Sequence, residues 1–151
     1  MKLVIPGDPI AQTRMKYSAR GGFGRIYDPR AKDKNHIKAL IKNLYEGELL
    51  QHPHISFIFH MPIPKSLPKK IIPLYQEGFL KHEKKPDVDN FVKLYLDCMD
   101  GIVFDGDQRV SLGACIKVYH PYPKTIIFLN ETTQSLQCSQ VSQEIWYDLC
   151  E

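Results

Sequence analysis

Between Lys84 and Val110 the sequence reads KKPDVDNFVKLYLDCMDGIVFDGDQRV, and its acidic residues carry a spacing that could do chemistry. Asp87 and Asp89 stand two positions apart. Along an extended approach such residues point to the same side, so their carboxylates can be presented together. The pair repels itself unless a cation lies between, and an all-oxygen ligand set suits a hard cation such as magnesium. A third carboxylate would help complete the site, and Asp107 can supply it. A helix of about ten residues rises about 15 Å, and the six steps from Gly101 to Asp107 span about 20 Å when extended, enough to return to the Asp87 end. Asp105 competes for the same role.

The elements that must position these groups follow from the flanking residues. Pro86 biases Lys85 toward extended backbone, so the chain is expected to arrive extended and turn helical at Asp89, which reads as the N-cap. From Asn90, the apolar residues Phe91, Leu94, Tyr95 and Cys98 follow helical spacing, and Gly101 fits a position just past the C-terminus. On this helix Asp89, Lys93 and Asp97 fall at successive i, i+4 positions, on one face beside the buried stripe. Each acid also has a plainer reading: Asp89 as a cap, Asp97 and Asp100 as solvated helix residues, Asp105-Gly106 as a turn before a strand. For a lone D-x-D the plainer reading would be preferred.

The complete pattern, K-P-D-x-D-N-x-x-K-x-x-x-D followed by D-G and then D-Q-x-V, resembles the RusA family of Holliday junction resolvases. IPGDPIAQTR (Ile5 to Arg14), GRIYDP (Gly24 to Pro29), MPIPKS (Met61 to Ser66) and KVY (Lys117 to Tyr119) look like further landmarks of that family. The resemblance covers about residues 1–130 and leaves 131–151 as a C-terminal extension of unknown role. It implies that Asp87, Asp89 and Asp107 are metal-binding catalytic aspartates and that Lys93 is the catalytic lysine. It also implies magnesium as cofactor, with manganese able to substitute, and a homodimer cutting four-way DNA junctions to leave 5′-phosphate and 3′-hydroxyl ends. A two-fold dimer presenting two sites suits the approximate two-fold symmetry of such a junction. The family usually places two adjacent aspartates where this chain has Gly106-Asp107, so Asp105 is the residue that could compensate for the missing first acid.

The remainder reads as support. With 151 residues, 43% hydrophobic and 25% charged, the chain is expected to form one α+β domain, a mixed β-sheet with two main helices in the RusA manner. A net charge of +3 permits a nucleic-acid partner without requiring one. Lys2 to Ile5 is a candidate strand. Arg14, Lys16, Arg20 and Arg25 then surround Gly21-Gly22 with Tyr17, Phe23 and Tyr27 interleaved, which suits a hairpin or arm touching phosphates and bases. A solvated hairpin with its aromatics packed on the domain is the alternative from local sequence. Asp28-Pro29 gives an N-cap and N1 proline for a helix whose Ala31, Ile37, Leu40, Ile41 and Leu44 share a face until Gly47.

His54 to Phe59 alternates as a strand, with Ile55, Phe57 and Phe59 on one side. His52 and His54 share a strand face but lack the further ligands a zinc site needs. The connection from Lys65 to Lys85, with a short helix expected after Ser66, contributes Lys69, Lys70, Lys84 and Lys85 as candidate phosphate contacts that screen the acids. Val110 to Tyr119 and Thr125 to Asn130 read as two strands of a hairpin. Beyond Glu131 the sequence turns Thr-, Gln- and Ser-rich, and Val141 to Leu149 regains helical spacing.

Cys98, Cys115, Cys138 and Cys150 are scattered without a C-x-x-C pair, so free thiols are expected. MKLVIPGDP lacks a long apolar core, and no apolar run approaches membrane-spanning length, which fits a reducing cytoplasm; family resemblance adds a bacterial or prophage-type setting. Two rival functions use the same residues: a metal-dependent phosphoesterase or flap nuclease, and a non-catalytic junction-binding protein.

Overall fold

Four apolar segments build the main sheet. In a computed structural model of the chain, which describes residues 1–19, 24–66, 70, 73, 75 and 80–132, the order of elements is β1 (Lys2–Pro6), β2 (Lys16–Ser18), β3 (Arg25–Tyr27), α1 (Ala31–Leu44), β4 (Pro53–Pro62), α2 (Val88–Met99), a 3₁₀ turn (Asp107–Arg109), β5 (Ser111–His120) and β6 (Lys124–Glu131). The main sheet is four-stranded in the order β1-β6-β4-β5. β4 and β5 are parallel, and β6 runs antiparallel to both β4 and β1. A parallel pair needs a crossover connection, and the segment containing α2 supplies it. This is the expected single α+β domain with two helices and a mixed sheet.

One sheet face presents Ile5, Ile55, Phe57, Phe59, Ile127 and Leu129, and it packs against Ile37 and Ile41 of α1 and Phe91, Leu94, Tyr95 and Cys98 of α2. Phe59 lies at the centre, its ring 5.1 Å from Phe91, 5.6 Å from Phe57 and 5.7 Å from Tyr95. Full burial of such a side chain contributes about 1.5–3 kcal/mol relative to exposure. The Tyr95 hydroxyl, buried with this stripe, accepts a hydrogen bond from Thr125 at 2.8 Å, which satisfies the polar end of an otherwise apolar contact. Along β4 the other parity is buried as well: Ile58 joins Val118, Ile126 and Phe128 in a second cluster, and His60 stacks on His120 at 4.1 Å. The expected one-sided strand is therefore buried on both faces.

Two local expectations are corrected. β5 and β6 do not form a hairpin; β4 lies between them. Skipping one strand means crossing about 10 Å, which the Pro121–Pro123 link can span, so the proline-rich turn signal marks a crossing instead of a tight reversal. α1 begins at Ala31 with Arg30 as N-cap, while Asp28 accepts the Arg30 N–H at 2.8 Å from two positions outside. The caps differ from the sequence reading because Asp28 is followed by a proline that does not yet enter the helix.

Cys98 and Cys115 are free thiols, and burial pushes the Cys98 thiol up to about 11. No helix among the described residues is long and apolar enough to cross a membrane. The readings placed on Arg20, Gly21-Gly22, Phe23, Lys69, the short helix after Ser66, Cys138, Cys150 and the 141–149 segment lie outside the described residues.

Candidate active site at the start of α2

α2 opens at Val88 with Asp87 as its N-cap, in extended backbone at φ −70°, ψ 153°. This corrects the expectation that Asp89 caps the helix: both acids suit a cap, and Asp87, directly after Pro86, takes the position. The Asp87 main-chain carbonyl accepts the Asn90 N–H at 3.2 Å, but its carboxylate makes no capping bond and stays exposed. Asp89, in the first turn, is exposed too, with only a long 3.4 Å contact from Asn90 Nδ2. Helical Cα–Cβ bonds tilt toward the N-terminus, so Asp89 leans to the end where Asp87 stands. The positive end of the helix dipole favours acids there.

Cations approach this end from separate elements. Gln12 donates its main-chain N–H to Asn90 O at 2.8 Å, which ties the segment leading to Arg14 to the first turn of α2. Arg14, Lys16 and Arg25 are exposed on or next to the β2–β3 ribbon, whose residues pair Lys16 with Tyr27 and Ser18 with Arg25. The Tyr17 ring lies against Gly24 and is 68% exposed, while Ile26 is 67% exposed. These side chains therefore stand out in solvent; they do not pack on the domain. Lys84 and Lys85 are exposed just ahead of Asp87, and Lys70 is exposed without a described contact to the acids.

Lys117, on β5, extends its ammonium to the carbonyls of Lys84, at 2.9 Å, and Pro86. Burial pulls this ammonium below the ordinary lysine range, and the Asp87 carboxylate partly offsets that. His82 is likewise held below its ordinary value, by burial first and then by the positive charges of Lys117 and Lys84.

Lys93, one turn beyond Asp89, is exposed on the same helix face and forms no ion pair among the described residues. Asp97 is different. It pairs with Lys34 of α1 at 2.9 Å, and Lys34 also holds Asp28 at 3.1 Å, so Asp97 serves helix packing.

Asp107 does not reach Asp87 and Asp89 within one chain. The length that could have carried it back is folded up at the far end of α2: Gly101–Val103 form a turn, Phe104 bridges to both Leu50 and Asp100, and the Asp100 carboxylate accepts the Gly106 N–H at 2.9 Å. Gly106 takes a positive φ of 81°, which glycine tolerates, and Asp107 then begins the 3₁₀ turn rather than a strand. The return run is β5 itself, and its six steps from Ser111 to Lys117 cover about 20 Å. Asp105 and Asp107, both exposed, thus lie roughly a helix length from Asp87 and Asp89.

No three His, Cys, Asp or Glu side chains among the described residues stand close enough to hold a metal ion. The donor chemistry at the helix start still fits magnesium, which is commonly held by one or two carboxylates with water and substrate phosphate completing the shell. Sequence reasoning passed over two residues here. Asp100, read as solvated, organises the Gly106 turn; Lys117 contributes a cation from the sheet. A signal for Lys117 was present, since Cys115, Lys117 and Tyr119 share one parity of a strand and put a lysine among inward positions.

Comparison with known proteins places the chain among relatives. A relative, the "Uncharacterized protein YqaN" of Bacillus subtilis (strain 168), is 28% identical over 138 residues, covering 88% of this chain and 97% of the relative. The family described as Endodeoxyribonuclease RusA matches residues 6–130, a span that holds both ends of α2, the cationic arm and nearly all of the main sheet, and the chain accordingly belongs to the RusA endodeoxyribonuclease family.

Proposed function

We propose that the chain is a magnesium-dependent endonuclease that resolves four-way DNA junctions by paired nicks and acts as a homodimer. The observation that carries this reading is the pair of exposed carboxylates at the start of α2, without an ion pair among the described residues and with cations nearby on the arm, the 84–85 segment and β5. A purely acidic surface would repel phosphate, and a purely basic one would bind DNA without a metal ligand; this end has both.

In this reading Asp87 and Asp89 hold the metal, and manganese can replace magnesium. Magnesium, when bound, supplies Lewis-acid activation of the scissile phosphate and of a water. Lys93 directs its ammonium at the charge that grows on the phosphate in the transition state. Arg14, Lys16 and Arg25 and the segment of Lys84 and Lys85 hold DNA backbone, with Arg20, Lys69 and Lys70 as further contacts, and the exposed Tyr17 ring offers a stacking surface to an unpaired base. Because Asp107 stands at the far end of α2 from Asp87 in its own chain, this reading takes the third carboxylate from the second copy, with Asp107 of the partner subunit beside the first turn of α2. Two composite sites then face two strands of the junction. Asp105 is the substitute should the register at Gly106 be shifted.

A cleavage assay on synthetic four-way, flap and linear DNA, with and without magnesium, tests the proposal. Symmetric nicks in the four-way substrate that need magnesium are expected. Equal cutting of flaps and duplex would favour a general phosphoesterase, and metal-independent junction binding without nicks would make the chain a binding protein.

A further inference from the structure

A lysine at an inward strand position gives up part of the water around its ammonium and needs compensating partners. Lys117 is such a residue, and its partners are unusual: no carboxylate among the described residues pairs with it within salt-bridge distance. Instead its Nζ lies over the Phe91 ring, 5.8 Å from the centroid, and two of its N–H groups end on the carbonyls of Lys84 and Pro86. Its own main-chain carbonyl accepts the His82 N–H at 3.0 Å. One residue of β5 therefore holds positions 82, 84 and 86, at every second step of the approach to Asp87.

We propose that Lys117 is a positioning residue for the metal-holding end of α2: its ammonium anchors the 84–86 segment to the sheet, sets where the Asp87 carboxylate stands relative to Asp89, and lowers the repulsion between the two acids. This rests on the reading of Asp87 and Asp89 as metal ligands. The charge matters as well as the reach. A carbonyl is a weak acceptor compared with a carboxylate, so an ammonium held by carbonyls keeps most of its positive charge for Asp87, which it would lose in a tight ion pair. Phe91 belongs to the core stripe of α2, so the ammonium over its ring also ties the segment to the helix it precedes.

The test uses the full chain without DNA and manganese(II) alone as probe, comparing the wild type with Lys117→Met, Lys117→Arg and Asp87→Asn. Manganese affinity is measured by titration, and hydrogen exchange is followed over residues 82–90 and over the sheet. Lys117→Met, which keeps stem length and removes the charge, should bind manganese about 10-fold or more weakly, the range known for residues that orient metal ligands. Its faster exchange should be confined to 82–90. Lys117→Arg should recover most of the affinity, because a guanidinium can offer N–H groups to both carbonyls. Unchanged affinity and exchange in Lys117→Met would overturn the proposal, and so would loss of protection throughout the sheet, which would make Lys117 an ordinary packing residue. If the wild type binds no manganese, the ligand assignment of Asp87 and Asp89 fails; the exchange over 82–90 then still decides whether Lys117 anchors the segment.

Discussion

Asp97 and Asp100, at the C-terminal end of α2, each have a fixed partner: Lys34 at 2.9 Å for the first and the Gly106 N–H at 2.9 Å for the second. Asp87 and Asp89, at the N-terminal end, have neither an ion pair nor a good hydrogen bond to their carboxylates among the described residues. The residue type and the helix are the same, so composition cannot distinguish the two pairs. Their partners can. Acids already engaged by the protein hold the fold together, and acids left open beside approaching cations are available to a metal and a phosphate.

The largest effect should come from the open end. Asp89→Asn is expected to lower junction cleavage about 10³-fold while shifting the denaturant midpoint only slightly, because its carboxylate makes no ion pair among the described residues and its interaction with the helix dipole is small. A large loss of stability in that variant would erase the contrast between the two ends. Lys93→Ala should follow, with about 3–4 kcal/mol of transition-state stabilisation lost, hundreds-fold in rate, and junction binding retained in a gel-shift assay. Should Lys93→Ala unfold instead, the lysine belongs to the helix and not to the chemistry.

Smaller effects are expected where the acids are engaged. Asp97→Asn should cost less than about 1 kcal/mol, since the Asp97–Lys34 pair is partly exposed, and should leave cleavage intact. The same cluster contributes to the acid limb of stability. Asp28 is held below the ordinary carboxylate range, chiefly by the Arg30 N–H and then by Lys34. Its ionised form is favoured on folding, so its contribution is present above the unfolded value near 4 and is lost as pH falls through the lower folded value. Asp28→Asn should therefore flatten the decline in melting temperature below about pH 4. A wild-type acid limb in that variant would assign the decline to other carboxylates.

Much of this contrast was readable before the fold was in hand, and the parts that were not have physical reasons. The stripe of Phe91, Leu94, Tyr95 and Cys98 was legible because burial on a helix repeats with the helix itself. The main sheet's apolar segments were legible for the same reason, although β4 hid its second buried face behind a serine and a histidine. The β5–β6 hairpin was misread because a local turn signal carries no information about β4, a distant segment that inserts between them. Asp107 was misplaced because chain length sets only an upper bound on reach. Contacts of Phe104 with Leu50 and of Gly106 with Asp100 decide how much of that reach is used, and the first joins residues far apart in sequence. Lys117 was passed over because a linear count treats lysines as solvated unless strand parity is checked.

The two ends of α2 lie about 20 Å apart in one chain, and in the proposed homodimer they meet across the two-fold axis. Co-expressing Asp87→Asn and Asp107→Asn chains under different tags, and isolating the mixed dimer, tests that joining directly. Each variant alone should be inactive. In the mixed dimer one composite site combines both substitutions, and the other combines an intact Asp87 with an intact Asp107, so magnesium-dependent nicking at one strand per junction should return. A mixed dimer as inactive as either parent, or an Asp107→Asn homodimer that still cuts, would contradict the account.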